Sequence, residues 1–459
     1  MFSALAEETA ARYMPEDIDA YQVIKFDNGF TAIIKPRGTS PYIAARLIVD
    51  VGINDFECSL RELPHLAEHL MFSGYDDLSE SDLDGAIASY GGSWNAMTDE
   101  RQTVYELQFH SNHAIEAIWL LWGMMSETQI SQDEFDIAQT VVNSESYGEP
   151  GAAQQFMYRN GIFGGHVERA FREYVPGTRV WCEDLVTAST VSLSDVNRLL
   201  SNQYTPANMT LVAVGHMDVE SFREDIELTF GTWDMSPVTI PPRAPAMPNY
   251  NPITYTTRME TPVGQESYVS IEFGIPPAGE PDREDLVLIR NYLETRIFEE
   301  FRINDGLAYN PSSYISDYDD YSLLGVDASV RTRDTDTALA IMDSLIEEVH
   351  AGAVDQTWID HIRDSYKLRL ATGFESNTSI ADYYVRHFER WQHDGRFPKH
   401  ESRYDAVTIE SVKAAAGRYL APNQSLRFVS QPLVSYTGLF AAVAGLALLI
   451  LFLWRRRMR

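Results

Sequence analysis

Residues 437–454 form eighteen consecutive uncharged, mostly apolar positions, flanked by Tyr436 and closed by Arg455, Arg456, Arg457 and Arg459. A helix of that length crosses the hydrocarbon layer of a bilayer, and aromatic residues at its ends suit the headgroup level. The run is apolar all round, so it predicts one transmembrane helix rather than a core helix with a wet face. The arginines predict a basic cytoplasmic tail at 455–459, which puts the rest of the chain on the outer side.

Elsewhere the pattern is one of short elements, and it repeats. Val191-Ser192-Leu193-Ser194-Asp195-Val196, then Tyr204-Thr205-Pro206-Ala207-Asn208, then the apolar run 210–214 read as helix, proline turn and strand. The same order returns at 407–412, 420–423 and 425–429. Two copies so far apart do not stack as a solenoid. They predict an α+β fold of two homologous halves, each an antiparallel sheet with helices packed on it. Six prolines at 237–252 predict a stiff linker, dividing a first half at 21–236 from a second at 253–434. A chain of 459 residues exceeds what one core comfortably holds, in keeping with that division.

The formal charge of −31 disfavours nucleic acid as a partner and favours cationic peptides. Ala4-Leu5-Ala6 before Glu7-Glu8 reads as the end of a signal peptide, so residues 1–20 are expected to be a remnant of one. The expected location is then the membrane, single-pass, with the bulk of the chain on the periplasmic side; a tail-anchored cytosolic form is the alternative. Cys58 and Cys182 are compatible with one disulfide, which sequence alone leaves open.

The chemistry concentrates in His65-Leu66-Ala67-Glu68-His69. Helical residues four apart share a face, so both imidazoles can meet one tetrahedral Zn²⁺, and Glu68 beside them can accept a proton from a zinc-activated water. Catalytic zinc takes a third protein ligand. Ser131-Gln132-Asp133-Glu134 is a capping box that starts a helix with an apolar face of Phe135, Val141 and Val142, closed by Gly148 and Pro150. Glu145 falls in its last turns, 76 residues after His69, and Glu149 lies beyond Gly148. After the first motif, a helix ending at Gly91-Gly92 leads to Trp94-Asn95-Ala96-Met97-Thr98 and a strand beginning Thr103-Val104-Tyr105.

Together these residues resemble the insulinase/pitrilysin family of zinc metallopeptidases, the inverzincins with H-x-x-E-H. The resemblance implies an endopeptidase acting on peptides or unfolded segments inside a chamber formed by its two halves. It implies one Zn²⁺ per chain on His65, His69 and Glu145, with Glu149 as the competing ligand, and Glu68 as the proton acceptor. It further implies that Asn95 and Ala96 pair with an extended substrate, and that Arg302 and Tyr309, in Phe301-Arg302-Ile303-Asn304-Asp305-Gly306-Leu307-Ala308-Tyr309, hold substrate backbone and oxyanion. The chain departs from the family pattern at Ala138, where relatives carry a second Glu, and at Glu62-Leu63-Pro64, where glycine and alanine are usual. Some relatives serve as catalytically inactive binding subunits of a peptidase complex, which is the alternative reading. A homodimer or pairing with a related subunit is compatible with either.

Overall fold

The computed structural model describes residues 17–38, 40–76, 78–146, 148–162, 164–176, 182–234, 249–318, 321–398 and 400–457. The expected signal-peptide remnant at 1–20, the proline-rich linker at 237–252 and the end of the basic tail lie wholly or largely outside them. The chain folds into two compact units. Residues 1–150, 186–244 and 364–399 form the first, and 151–185, 245–363 and 400–459 the second.

The first unit is built on β1 (Gln22–Lys25), β2 (Thr31–Pro36), β3 (Tyr42–Val49), β4 (Ser93–Thr98), β5 (Thr103–His110) and β6 (Met209–Gly215). Their order is β1-β2-β6-β3-β5-β4, with β2 and β6 parallel and the other pairs antiparallel. All of β6 and nearly all of β3 are buried, as continuous apolar strands are when both sheet faces are covered. Ile34, Ala45, Leu47, Leu211 and Ala213 pack in a core with the helices Leu63–Met71, Ala114–Glu127, Gln132–Glu145 and Leu193–Gln203. On the opposite face Ile33, Ala44, Ile48, Val212 and Val214 meet Ile380, Ala381 and Tyr384 of helix Asn377–Arg386. Arg46, buried in mid-strand, is matched there: its Nε donates to Asp382 Oδ1 at 2.9 Å and its Nη1 to the Ala45 carbonyl at 2.9 Å. A buried guanidinium needs such partners, so Arg46 selects the helix that covers it.

The second unit holds β7 (Ile253–Thr257), β8 (Glu266–Ile275), β9 (Ser312–Asp317), β10 (Ser322–Arg331) and β11 (Ser425–Ser430), ordered β9-β10-β8-β11-β7. Only β7 and β11 are parallel. Apart from β1 this is the order and direction of the first unit's sheet, with β7 in the place of β2 and β11 in that of β6. The sequence repeat lands at equivalent points. Helix Leu193–Gln203, capped by Ser192, leads through Pro206 into β6; helix Ile409–Tyr419, capped by Thr408, leads through Pro422 into β11. Here Phe171 and Tyr174 of helix His166–Tyr174 pack against Leu323, Leu426 and Phe428.

The units therefore do not divide the chain once, at 237–252. Segment 151–185 belongs to the second unit and 364–399 to the first, because each supplies a helix to a sheet face that its own stretch of sequence leaves bare. Among the described residues neither cysteine is free. The helix Tyr436–Arg457 is exposed throughout, with a mean hydropathy of 2.3, so it is not a core helix and is long and apolar enough to cross a membrane.

Candidate metal centre

Pro64 sits in the first turn of helix Leu63–Met71, where a missing N–H costs nothing. Leu63, Leu66, Ala67, Leu70 and Met71 are buried, which turns His65 and His69 toward the open side with ring centroids 5.1 Å apart. Glu68 stays on the inner side and is only 8 % exposed.

Helix Gln132–Glu145 starts at the expected capping box: Ser131 N–H donates to Glu134 Oε2 at 2.7 Å, and Glu134 N–H to Ser131 Oγ at 3.3 Å. Its buried stripe is Phe135, Ala138 and Val142, whereas Val141 is 40 % exposed. The reading that gave Val141 to the apolar face is corrected: spacings of three and four put position 138 in line with 135 and 142, and leave 141 at the margin. The same stripe continues to Glu145, so the packing that buries Phe135 also aims the carboxylate. Asn143 fixes the helix end: its Nδ2 donates to Ser189 Oγ at 2.9 Å, and its Oδ1 accepts from Thr187 Oγ1 at 2.8 Å and Ala188 N at 3.0 Å.

The two helices bring His65, His69 and Glu145 together, with one ligand atom of each within 4.8 Å of the others. Glu145 Oε2 lies 3.3 Å from His65 Nε2 and 3.4 Å from His69 Nε2. Two ligands about 2.0–2.1 Å from a tetrahedral ion are separated by about 3.3–3.4 Å, so the two carboxylate–imidazole spacings suit Zn²⁺, as does the donor set in kind. Glu149 is not in the group; it accepts a hydrogen bond from Ser189 Oγ. The far nitrogen of His65, Nδ1, lies 3.1 Å from Glu62 Oε2. That hydrogen bond raises the imidazole above its ordinary pKa; burial opposes it, and the Glu68 and Glu145 carboxylates act in the same sense as Glu62.

Behind the helix, Thr98 Oγ1 donates to Glu68 Oε2 at 2.6 Å. Thr103 Oγ1, 3.3 Å from Thr98 Oγ1, donates to the Val51 carbonyl at 3.0 Å. The Tyr105 and Tyr204 hydroxyls meet at 3.0 Å, and burial pushes both phenols up, so they stay neutral. A carboxylate in such a pocket is held in one orientation. Sequence reasoning missed Glu62, Thr98 and Asn143 as members of this site. Only Glu62 left a signal, since position i−3 from a ligand histidine is on its helix face.

Asn95 and Ala96 lie in β4, the edge strand of the first sheet, opposite Glu106 and Tyr105, and Asn95 is exposed. Arg302 and Tyr309 belong to the second unit and come together there: the guanidinium carbon is 4.4 Å from the centroid of the Tyr309 ring, which is 79 % exposed.

Comparison with known families and structures accords with this geometry. Residues 35–156 match the family described as Insulinase (Peptidase family M16), and residues 190–366 match Peptidase M16 inactive domain. The chain belongs to the insulinase family. Among members of the insulinase family and proteins like them, an uncharacterized zinc protease of Streptomyces coelicolor is 22 % identical over 392 residues, 83 % of each chain. The beta subunit of the mitochondrial-processing peptidase of Blastocladiella emersonii is 22 % identical over 210 residues, 46 % of this chain and 44 % of that one. A protease from Helicobacter pylori superposes with a TM-score of 0.73 at 18 % identity, over 92 % of this chain and 100 % of its own. The periplasmic protease PqqL of Escherichia coli gives 0.75 at 15 %, over 91 % of this chain and 46 % of its own. At those identities the structural likeness is one of mixed α+β fold.

Proposed function

We propose that the chain is a zinc endopeptidase that hydrolyses peptides or unfolded segments, with one Zn²⁺ on His65, His69 and Glu145. The observation that carries the reading is the meeting of three ligand atoms within 4.8 Å of one another, with the Glu145 oxygen 3.3 and 3.4 Å from the two imidazole nitrogens, beside a buried carboxylate. Zinc, when bound, supplies Lewis acidity to the scissile carbonyl and to a water. Glu68 accepts that water's proton and passes it to the leaving amine, with Thr98 steadying one of its oxygens. The exposed edge of β4, at Asn95 and Ala96, pairs with an extended substrate backbone, a role supported by its place at the end of the sheet beside the motif helix.

Arg302 and Tyr309 of the second unit are proposed to bind substrate backbone and oxyanion, and with them goes the enclosing chamber that the resemblance implies. The two side chains lie together in the second unit, with the Tyr309 ring exposed, which supports a shared role for them. Tyr309→Phe, which removes one donor, then lowers kcat by about 10²- to 10³-fold with zinc content unchanged; wild-type kcat on several peptides would confine the chemistry to the first unit. The charge of −31 favours cationic substrates. Pairing with a second copy or a related subunit is compatible with this reading.

The experiment that tests the function is metal analysis of the purified chain combined with cleavage of a mixed peptide library before and after chelation. One zinc per chain and chelator-sensitive cleavage are expected. Bound zinc without cleavage of any peptide would favour the binding-subunit alternative.

A further inference from the structure

We infer that Glu62 is a positioning residue of the metal centre: its carboxylate accepts the Nδ1 proton of His65 and so leaves Nε2 as the lone-pair atom facing Glu145. The inference rests on the zinc reading above and adds to it how one ligand is oriented.

Glu62 occupies the N-cap position of the motif helix, where an acidic side chain ordinarily accepts from the N–H groups of the first turn. It makes no such bond. Its backbone carbonyl accepts from Leu66 N–H at 2.9 Å, which fixes where the side chain starts. The carboxylate then runs along the helix to His65, at 3.1 Å from Nδ1, with 17 % of the Glu62 side chain exposed and 25 % of the imidazole. The other nitrogen of the same ring is 3.3 Å from Glu145 Oε2. A neutral imidazole carries one proton on one nitrogen, so a carboxylate at Nδ1 determines which nitrogen is free for the metal. It also stops rotation of a ring that a solvent-facing histidine would otherwise sample, and raises the basicity of the ligand atom. Residue 138, on the buried stripe of the partner helix, is an alanine, so that position brings no carboxylate to the site.

The test measures zinc affinity of the full-length chain by competition with a chromophoric chelator, and the protonation site of His65 in the metal-free protein by ¹⁵N NMR. Glu62→Ala is expected to weaken zinc binding about 10- to 100-fold and to lose the Nδ1–H form of His65. Glu62→Gln, which keeps the size and one acceptor oxygen but not the charge, falls between it and the wild type, and guards against misfolding as the cause. Wild-type zinc affinity in both variants overturns the inference while leaving the zinc site standing. Wild-type affinity in His65→Ala overturns the zinc reading, and the inference with it.

Discussion

Glu68 can serve as proton acceptor only if its carboxylate points at the water rather than into the core, and a single hydroxyl controls that. Thr98 donates to Oε2 at 2.6 Å from the end of the edge strand. Thr98→Val keeps the shape of the side chain and removes the donor. Since a hydrogen bond to a charged group contributes about 1.5–3 kcal/mol, kcat is expected to fall roughly 10-fold or more with KM and zinc content unchanged, and Thr98→Ser to restore it. Steady-state kinetics on one peptide decide this; unchanged kcat in Thr98→Val means other contacts orient Glu68. At this scale the sequence was most legible where chemistry is local. His65, Glu68 and His69 lie within one turn and a half of helix, whereas Glu145 was reached through the resemblance to the insulinase/pitrilysin family, on a helix whose start the capping box marked. The role of Thr98 was not legible, because it depends on which strand end lies beside the helix, and the segment read only as a substrate-pairing strand.

At the scale of the element, β8 carries an acid in a place that apolar patterning does not foretell. Glu272 lies opposite Gly325 in β10, which in turn lies opposite Tyr314 in β9. Gly325 has no side chain, and a Cβ there would come within 2.4 Å of the Tyr314 ring, so the ring lies across it toward Glu272. Burial pushes the Glu272 carboxyl up to about 7; Asp327 acts in the same sense, and hydrogen bonds from Ser270 and Tyr314 act against it. From its ordinary value of 4.5 to about 7, the folded state holds a proton that the unfolded state has released. This group's contribution to stability therefore falls as pH rises through that window, by roughly 3 kcal/mol, and is flat above it. Glu272→Gln mimics the protonated form. Its melting temperature is expected to gain on that of the wild type between pH 5 and pH 8, and an equal difference at both pH values would show that Glu272 titrates normally. The repeat of helix, proline turn and strand was readable because its signals, a short apolar-periodic helix, a proline turn and an apolar strand, are local. The unusual acid was not, because its burial is set by strands distant in sequence.

Across the whole molecule, the duplicated α+β plan was visible in the repeat, and the exchange of segments 151–185 and 364–399 was not. Which helix covers a sheet face is decided by pairs such as Arg46 with Asp382, 336 residues apart, and no periodicity records them. The apolar C-terminal run was legible from composition alone, and among the described residues its helix is exposed throughout. If that helix spans a membrane with the arginines on the cytoplasmic side, His65, His69 and Glu145 lie on the outer side. Protease added to spheroplasts is then expected to digest the bulk of the chain and leave a short anchored fragment; protection until the membrane is broken would identify a tail-anchored cytosolic form.

The separate roles proposed for Glu68 and Glu145 are tested most directly by one paired measurement: zinc content and peptide turnover of Glu68→Gln beside those of Glu145→Ala. Glu68→Gln is predicted to keep about one zinc per chain and lose roughly 10²-fold or more of turnover, whereas Glu145→Ala loses the metal. Zinc lost from Glu68→Gln, or zinc and turnover both retained by Glu145→Ala, would contradict those roles.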